Sequence, residues 1–147
     1  MTRPGAPRRC YGGRMDQTER IYRVWDARME ANDVEGLLAL YDKDAVFESP
    51  FARRLMQTEH GVVRGRDELR EFFTRLAARP PVDRRHYRKG YLTDGRLLIW
   101  EYPRETPAGE QTDLVEVMEV ADGLIRRHRV YWGWAGVRNL EKSMGPR

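Results

Sequence analysis

Glu116 and His128 are the two residues whose types and spacing best suit proton-transfer chemistry. They flank Ala121-Asp122-Gly123, a hairpin signal between two runs with strand-like composition. A type I turn followed by a glycine bulge places Glu116 directly opposite His128, whereas a plain two-residue Asp-Gly loop places it opposite Arg129. We favour the bulge because it turns both His128 and Trp132 to the same side as Glu116. An opposed carboxyl and imidazole lie within hydrogen-bonding reach and titrate as a pair.

Two catalytic roles are open to this pair. Glu116 could orient His128 as a general base, or a protonated Glu116 could donate to a developing oxyanion. A positioned acid or base contributes roughly 10²–10⁴-fold in rate. The structural alternative is a buried pair that only satisfies its own hydrogen bonds. His60 joins the site if its loop folds over the pocket, and Glu101, on the neighbouring strand, joins if its side chain faces inward.

The predicted hairpin also supplies the wall of a pocket. Side chains alternate between the two faces of a strand. With the bulge in place, one face carries Leu114, Glu116, Met118, His128, Val130, Trp132 and Trp134. This face is apolar and aromatic apart from one carboxylate and one imidazole. The three histidines of the chain lack metal-ligand spacing, so we expect no metal site and no cofactor.

Apolar residues at helical spacing predict three helices in the N-terminal half. The first runs from Asp16 to about Asn32, Asp33 caps the second, and the third runs from Gly65 to Pro80-Pro81. The first helix presents Ile21, Val24, Trp25 and Met29. The second presents Val34, Leu37, Leu38 and Tyr41. The third presents Leu69, Phe72, Phe73 and Leu76.

The remaining elements are predicted to be strands. A short strand covers residues 45–50, including Phe47 and Ser49, and residues 51–64 read as an irregular loop or flap. Two hairpins follow, over residues 84–103 and 111–134. The predicted fold class is α+β, with a curved antiparallel sheet wrapped on three N-terminal helices as a cone-shaped barrel.

The charge of the chain is unevenly distributed. The formal net charge of +4 equals the number of arginines in residues 1–14, which contain no acidic residue, and the remainder holds 23 basic and 23 acidic residues. We interpret residues 1–14 as a disordered basic tail, 15–136 as one domain and 137–147 as a C-terminal tail. A neutral domain argues against nucleic acid as a partner. No apolar run spans a membrane and no signal peptide is recognisable, which favours the cytoplasm.

Residues 32–51 and 113–132 resemble parts of a known superfamily. The segment NDVEGLLALYDKDAVFESPF looks like the second helix and first strand of ketosteroid isomerases, and DLVEVMEVADGLIRRHRVYW looks like the last hairpin of that family. The resemblance extends to the SnoaL-like polyketide cyclases and the wider nuclear transport factor 2-like superfamily, over about residues 16–136. It implies the cone-shaped fold and a pocket for a hydrophobic small molecule. It also implies a homodimer, which Val115, Val117, Tyr131 and Gly133 on the outer face support.

The resemblance assigns family positions with several departures. The aspartate base of ketosteroid isomerases falls at Ser49, and their oxyanion tyrosine falls at Trp25. A supporting tyrosine on the second helix is retained as Tyr41, whereas another on the third helix falls at Phe73. The family's protonated pocket acid and pocket tryptophan fall at Glu116 and Trp132.

These departures argue against isomerisation of 3-oxosteroids by the usual route. The resemblance instead implies cofactor-independent proton transfer on a hydrophobic carbonyl or polyketide-like substrate. One alternative is a non-catalytic module that binds a hydrophobic ligand or dimerises. A weaker alternative is an epoxide hydrolase-like activity, which would need an Asp-Arg-Asp arrangement that the sequence does not supply.

Overall fold

The computed structural model describes residues 16–78, 90–101, 104–105 and 111–144. The predicted tail at residues 1–14 lies outside them, as does most of the predicted strand at 84–93. The helices are α1 (Gln17–Glu30), α2 (Val34–Leu38), α3 (Pro50–Met56), α4 (Gly65–Ala77) and α5 (Trp134–Met144). The strands are β1 (Tyr41–Glu48), β2 (Val62–Arg64), β3 (Leu92–Thr93), β4 (Leu97–Glu101), β5 (Arg104–Glu105), β6 (Gln111–Thr112), β7 (Leu114–Ala121) and β8 (Leu124–Trp132).

Six strands form one curved sheet in the order β2-β1-β8-β7-β4-β3, with helices packed on it. β5 and β6 pair separately. The predicted α+β class is confirmed, and the described sheet does not close into a barrel. One detail differs from the expected antiparallel sheet, because β1 runs parallel to β8 while the other described pairs are antiparallel. β1 and β8 can be parallel neighbours because the intervening helices and strands carry the chain back to the same end of the sheet.

The predicted helix starts at α1 and α2 are confirmed. The Asp16 side chain accepts a hydrogen bond from the backbone N–H of Thr18, and the Asp33 side chain accepts one from Gly36. These caps satisfy amide groups that have no partner within the helix. The apolar stripes of α1 and α4 face the sheet and are buried at Ile21, Trp25, Met29, Leu69, Phe72 and Phe73.

Tyr41 lies in a strand, which corrects its placement on the second helix. α2 ends at Leu38, and the carbonyl of Leu40 already accepts a hydrogen bond from the backbone N–H of Ile125. The backbone therefore pairs with β8 before a second turn of α2 can form. Tyr41 is the first residue of β1, and its side chain is fully buried.

The predicted irregular loop at residues 51–64 contains α3 and β2. Ser49 is the N-cap of α3 and Pro50 occupies the first turn, a pairing in which proline starts a helix rather than only ending a strand. Gly61, with a φ of 66°, turns the chain so that β2 pairs antiparallel with β1. The described residues before β3 therefore form four helices rather than the three predicted.

The last hairpin has a different register from both predicted alternatives. Asp122 and Gly123 have φ values of 53° and 74°, which is a two-residue turn with both central residues left-handed. A bulge at Arg126 then shifts the pairing, so Glu116 lies opposite Val130 rather than opposite His128 or Arg129. The extra residue in β8 turns His128, Val130 and Trp132 to the same side as Glu116. The predicted inward face from Leu114 to Trp132 is therefore retained.

The C-terminal segment is helical where a strand end and a tail were expected. α5 begins at Trp134, and that side chain is 69% exposed instead of lining the inner face. Gly136 packs so close to Thr112 and Trp132 that a Cβ there would clash with Thr112 Cγ2. In the described part of the chain, none of the helices is long and apolar enough to cross a membrane.

Candidate functional site

A small cavity lies between α1, α4 and the inner face of β1, β7 and β8. Its volume is about 40 Å³. That is room for a few waters, since one water needs roughly 10–15 Å³. Nine predicted site residues line it: Trp25, Phe47, Ser49, Phe73, Leu114, Glu116, His128, Val130 and Trp132. Met29, Phe51, Phe72 and Leu76 complete the lining; three of them lie on predicted inner helix faces, and only Phe51 had no preceding signal.

Glu116 and His128 are in direct contact at this cavity. Glu116 Oε2 and His128 Nε2 are 2.5 Å apart, and the two residues are 4% and 0% exposed. The predicted contact therefore forms although the predicted register is wrong. His128 pairs with Met118, so it is a diagonal neighbour of Glu116 on the same face, and long side chains can reach across a diagonal.

Tyr41 and Trp25 extend this contact into a chain of buried hydrogen bonds. The Tyr41 hydroxyl lies 2.8 Å from His128 Nδ1, and the indole N–H of Trp25 donates to the Tyr41 oxygen over 3.1 Å. The three elements that supply these groups are α1, β1 and β8. Both nitrogens of the His128 ring are therefore occupied.

One arrangement of protons gives each group of the chain a partner. An indole nitrogen can only donate, so the Tyr41 oxygen accepts from Trp25 and its own proton is free to go to His128 Nδ1. Nδ1 is then the acceptor of a neutral imidazole, and Nε2–H donates to the Glu116 carboxylate. Burial raises the pKa of Tyr41 well above its usual value, and the neighbouring Glu116 charge adds to this, whereas the Trp25 hydrogen bond opposes it. Tyr41 thus stays a donor.

The imidazole of His128 is held by aromatic rings as well. The Phe47 ring meets it edge-on with centroids 4.8 Å apart, and the Trp25 ring meets it at 5.7 Å. Phe47 is the residue opposite His128 in the parallel β1–β8 pair. A ring enclosed in this way has one orientation, so its Nε2–H is aimed at a single carboxylate oxygen.

Trp25, His128 and Glu116 of the hydrogen-bond chain all border the cavity, and Glu116 offers it a carboxylate oxygen. About 6% of the Glu116 side chain is exposed, whereas the His128 side chain is fully buried. His128 binds one carboxylate oxygen, and no described residue hydrogen-bonds the other, Oε1. The arrangement presents a carboxylate oxygen to an apolar space and can accept a proton there.

Ser49 has a structural hydrogen bond. Its hydroxyl oxygen accepts from the backbone N–H of Phe51 as the cap of α3. The residue is 4% exposed and borders the cavity.

The remaining predicted site residues lie elsewhere. His60 is exposed and sits beside Glu59, so its loop does not fold over the cavity. Glu101 is exposed and lies opposite Val115, at the outer face of the sheet, where it borders a second cavity of about 250 Å³. Met118 and Tyr41 are fully buried behind the cavity wall and do not border it. Across the residues with described positions, no group of three or more potential ligands could hold a metal ion.

The element order and the sheet define the nuclear transport factor 2-like fold. Residues 18–128 match the SnoaL-like domain family, and the chain belongs to that family. No curated protein matches the chain significantly.

Several solved structures share this fold at low identity. TerC co-crystallised with polyporic acid is 16% identical, with a TM-score of 0.65 over 86% of this chain and 98% of that one. The epoxide hydrolase/cyclase-like enzyme SalBIII, described for pyran ring formation in the polyether salinomycin, is 21% identical, with a TM-score of 0.58 over 82% and 93%. A candidate ketosteroid isomerase from Kribbella flavida is 23% identical, with a TM-score of 0.58 over 80% and 78%.

Proposed function

We propose that the protein is a cofactor-independent enzyme that moves protons on a hydrophobic carbonyl compound, with polyketide-like ketones as the substrate class. The observation that carries the proposal is the buried chain from Trp25 through Tyr41 and His128 to Glu116, which ends on a carboxylate oxygen at an apolar cavity. In this proposal Glu116 is the catalytic residue and His128 is a positioning residue, since both imidazole nitrogens are already bonded.

The proposed step balances without a co-reactant. Glu116 Oε1 takes a proton from the carbon next to the substrate carbonyl. The C–H electron pair becomes a C=C bond, and the carbonyl π pair moves to oxygen as an enolate. The Glu116 carboxylic acid then returns a proton to the same carbon or to another one, and the C=O bond forms again.

Exchange of carbon-bound hydrogen tests this proposal without knowledge of the natural substrate. Cyclohexanone is incubated with the protein in D₂O, and deuterium incorporation next to the carbonyl is followed by mass spectrometry. We expect exchange above the buffer rate, and at least about a tenfold loss in Glu116→Gln. Glu119→Gln is the matched control, because Glu119 lies on the same strand but is exposed and paired with Arg129. Equal exchange with and without protein over a panel of hydrophobic ketones contradicts the proposal.

The small cavity favours a second candidate, a non-catalytic module that binds a hydrophobic ligand. Sites for drug-sized ligands enclose roughly 300–1,000 Å³, whereas this cavity holds about 40 Å³. A large ligand must therefore displace the wall, including the Phe51 and Trp132 rings that stack at 5.8 Å between α3 and β8. Tight ligand binding without any hydrogen exchange or product, and insensitive to His128→Ala, would select this candidate.

The cavity lining does not support the epoxide hydrolase-like alternative. An Asp-Arg-Asp arrangement is expected for that activity, and the described lining contains neither an aspartate nor an arginine. The likeness to SalBIII is a likeness of fold.

A further inference from the structure

Trp132 carries a buried hydrogen-bond donor without a partner. Its indole Nε1 is shielded from solvent, and no group in the described regions accepts its proton. Buried N–H groups in folded proteins are nearly always paired with protein or ordered water. Trp132 borders both the small cavity and the second cavity beside Glu101, so a molecule bound beside the ring can accept this hydrogen bond.

The position of Trp132 relates this donor to Glu116. Trp132 lies opposite Leu114 and Glu116 lies opposite Val130, so the two diagonal neighbours of Glu116 on the inner face are His128 and Trp132. Diagonal positions in an antiparallel pair are roughly 7–8 Å apart. His128 occupies one oxygen of Glu116, and Trp132 stands on the opposite side of the carboxylate.

The contacts of the ring indicate which edge is available. A Cβ at Gly136 would lie 3.1 Å from Trp132 Cε3, so that edge of the indole faces α5, and Phe51 covers one ring face. Cε3 and Nε1 lie on opposite edges of an indole, so the N–H edge faces away from α5. Trp25 also borders the cavity, but its indole N–H already donates a hydrogen bond to the Tyr41 oxygen.

We infer that the Trp132 N–H binds an acceptor oxygen of the ligand and so selects ketones and enones over hydrocarbons of the same shape. The oxygen lies at Nε1, and the neighbouring carbon lies toward Glu116 Oε1. The placement of that carbon rests on the proposed function, whereas the hydrogen bond itself does not.

The test uses two ligands of the same shape and the intact protein. Cyclohexanone has the acceptor oxygen, and methylenecyclohexane replaces it with a CH₂ group. In ¹⁵N-labelled protein the four tryptophans give four indole signals. We expect cyclohexanone to move the assigned Trp132 N–H signal downfield, as a new hydrogen bond does, and methylenecyclohexane to leave it without a downfield shift. No downfield shift at the solubility limit of cyclohexanone overturns the inference.

A substitution separates the donor from the ring. Trp132→Phe retains an aromatic ring against Phe51 but lacks the N–H. We expect it to weaken cyclohexanone binding about tenfold and to leave methylenecyclohexane binding unchanged. Trp134→Phe is the control, because that side chain is 69% exposed on α5 and should affect neither ligand. Equal weakening of both ligands by Trp132→Phe overturns the inference and makes Trp132 a packing residue.

The two proposals fail in different ways. A ketone-dependent shift of the Trp132 signal without any deuterium exchange refutes the proposed enzymatic function and supports the ketone site. Exchange that depends on Glu116 but is unchanged in Trp132→Phe, with no shift of the indole signal, refutes the ketone site alone.

Discussion

At the scale of single residues, the direction of the hydrogen-bond chain matters most. From the sequence, Glu116 could orient His128 as a base. In the structure, Tyr41 and Glu116 occupy both ring nitrogens, so the imidazole lies between a donor and a carboxylate. The group of the hydrogen-bond chain left to accept a proton at the cavity is the glutamate carboxylate. Tyr41 comes from a position 87 residues away in the chain, and no local pattern links it to His128.

Tyr41→Phe tests the chain of hydrogen bonds at its centre. The substitution leaves His128 Nδ1 without its donor and the Trp25 N–H without its acceptor inside the core. We expect the free energy of unfolding to fall by about 1–3 kcal/mol. Deuterium exchange of cyclohexanone should fall about tenfold, because His128 Nδ1 loses the hydrogen bond that keeps the proton on Nε2 beside Glu116. Urea unfolding and the deuterium assay measure the two effects. Tyr131→Phe is the control, because that hydroxyl is on the exposed outer face of β8. Full retention of both quantities would remove Tyr41 from the site.

At the scale of elements, α3 determines how the chain passes from β1 to the cavity wall. Ser49 caps α3, and the Ser49 N–H donates to the carbonyl of Gly61, which closes the segment back on β1. The Phe51 ring then stacks on Trp132 of β8. The dipeptide Ser49-Pro50 is typical of a helix start as well as of a strand end. The loop was predicted because Pro50 was interpreted only as the end of a strand.

Ser49→Ala separates capping from catalysis. Loss of the cap should lower the free energy of unfolding by about 0.5–2 kcal/mol, whereas Ser49→Thr, which retains a hydroxyl, should lose less. Deuterium exchange of cyclohexanone should persist in both variants, because the Ser49 oxygen already accepts a hydrogen bond from the Phe51 N–H. Abolition of exchange in a folded Ser49→Ala protein would show that the hydroxyl takes part in the reaction.

Gly61→Ala tests the close approach at the end of the same segment. Gly61 has a φ of 66°, and a Cβ there would lie 2.6 Å from the Ser49 carbonyl oxygen. We expect a loss of stability of about 1–3 kcal/mol, measured by urea unfolding. Gly123→Ala is the matched control, with a φ of 74° but no atom within 4 Å of the added Cβ. An equal loss in both variants would mean that backbone strain alone, rather than the contact with Ser49, requires glycine at position 61.

At the scale of the whole molecule, the sheet has one face toward the helices and one toward its surroundings. Val115 and Val117 are half-buried on the outer face, and Tyr131 beside them is 54% exposed. Large exposed aromatic side chains beside apolar residues often mark a contact surface. We propose that this face pairs with a second copy of the chain.

Light scattering at micromolar concentration checks the dimer. We expect twice the monomer mass for the protein, and the monomer mass for Tyr131→Lys, because a charge buried at the centre of an apolar contact is costly. Glu119→Gln, at a surface ion pair, should leave the mass unchanged. A wild-type protein that remains monomeric under these conditions would contradict the proposal.

Local patterns in the sequence were enough for the helix faces, the cap at Asp33, and the position of the turn at residues 122–123. Placing Glu116 and His128 on one inward face needed more than alternation along each strand, because it also required one extra residue in the hairpin. The register of β7 against β8 was beyond these patterns, because the extra residue at Arg126 shifts every later partner and returns His128 to the face that carries Glu116. The sequence could not predict the contact of Tyr41 with His128 either, because it depends on the long-range parallel pairing of β1 with β8. Such contacts depend on how the helices and the sheet pack together, and this packing converts an acid and an imidazole on one face into an oriented carboxylate at a cavity.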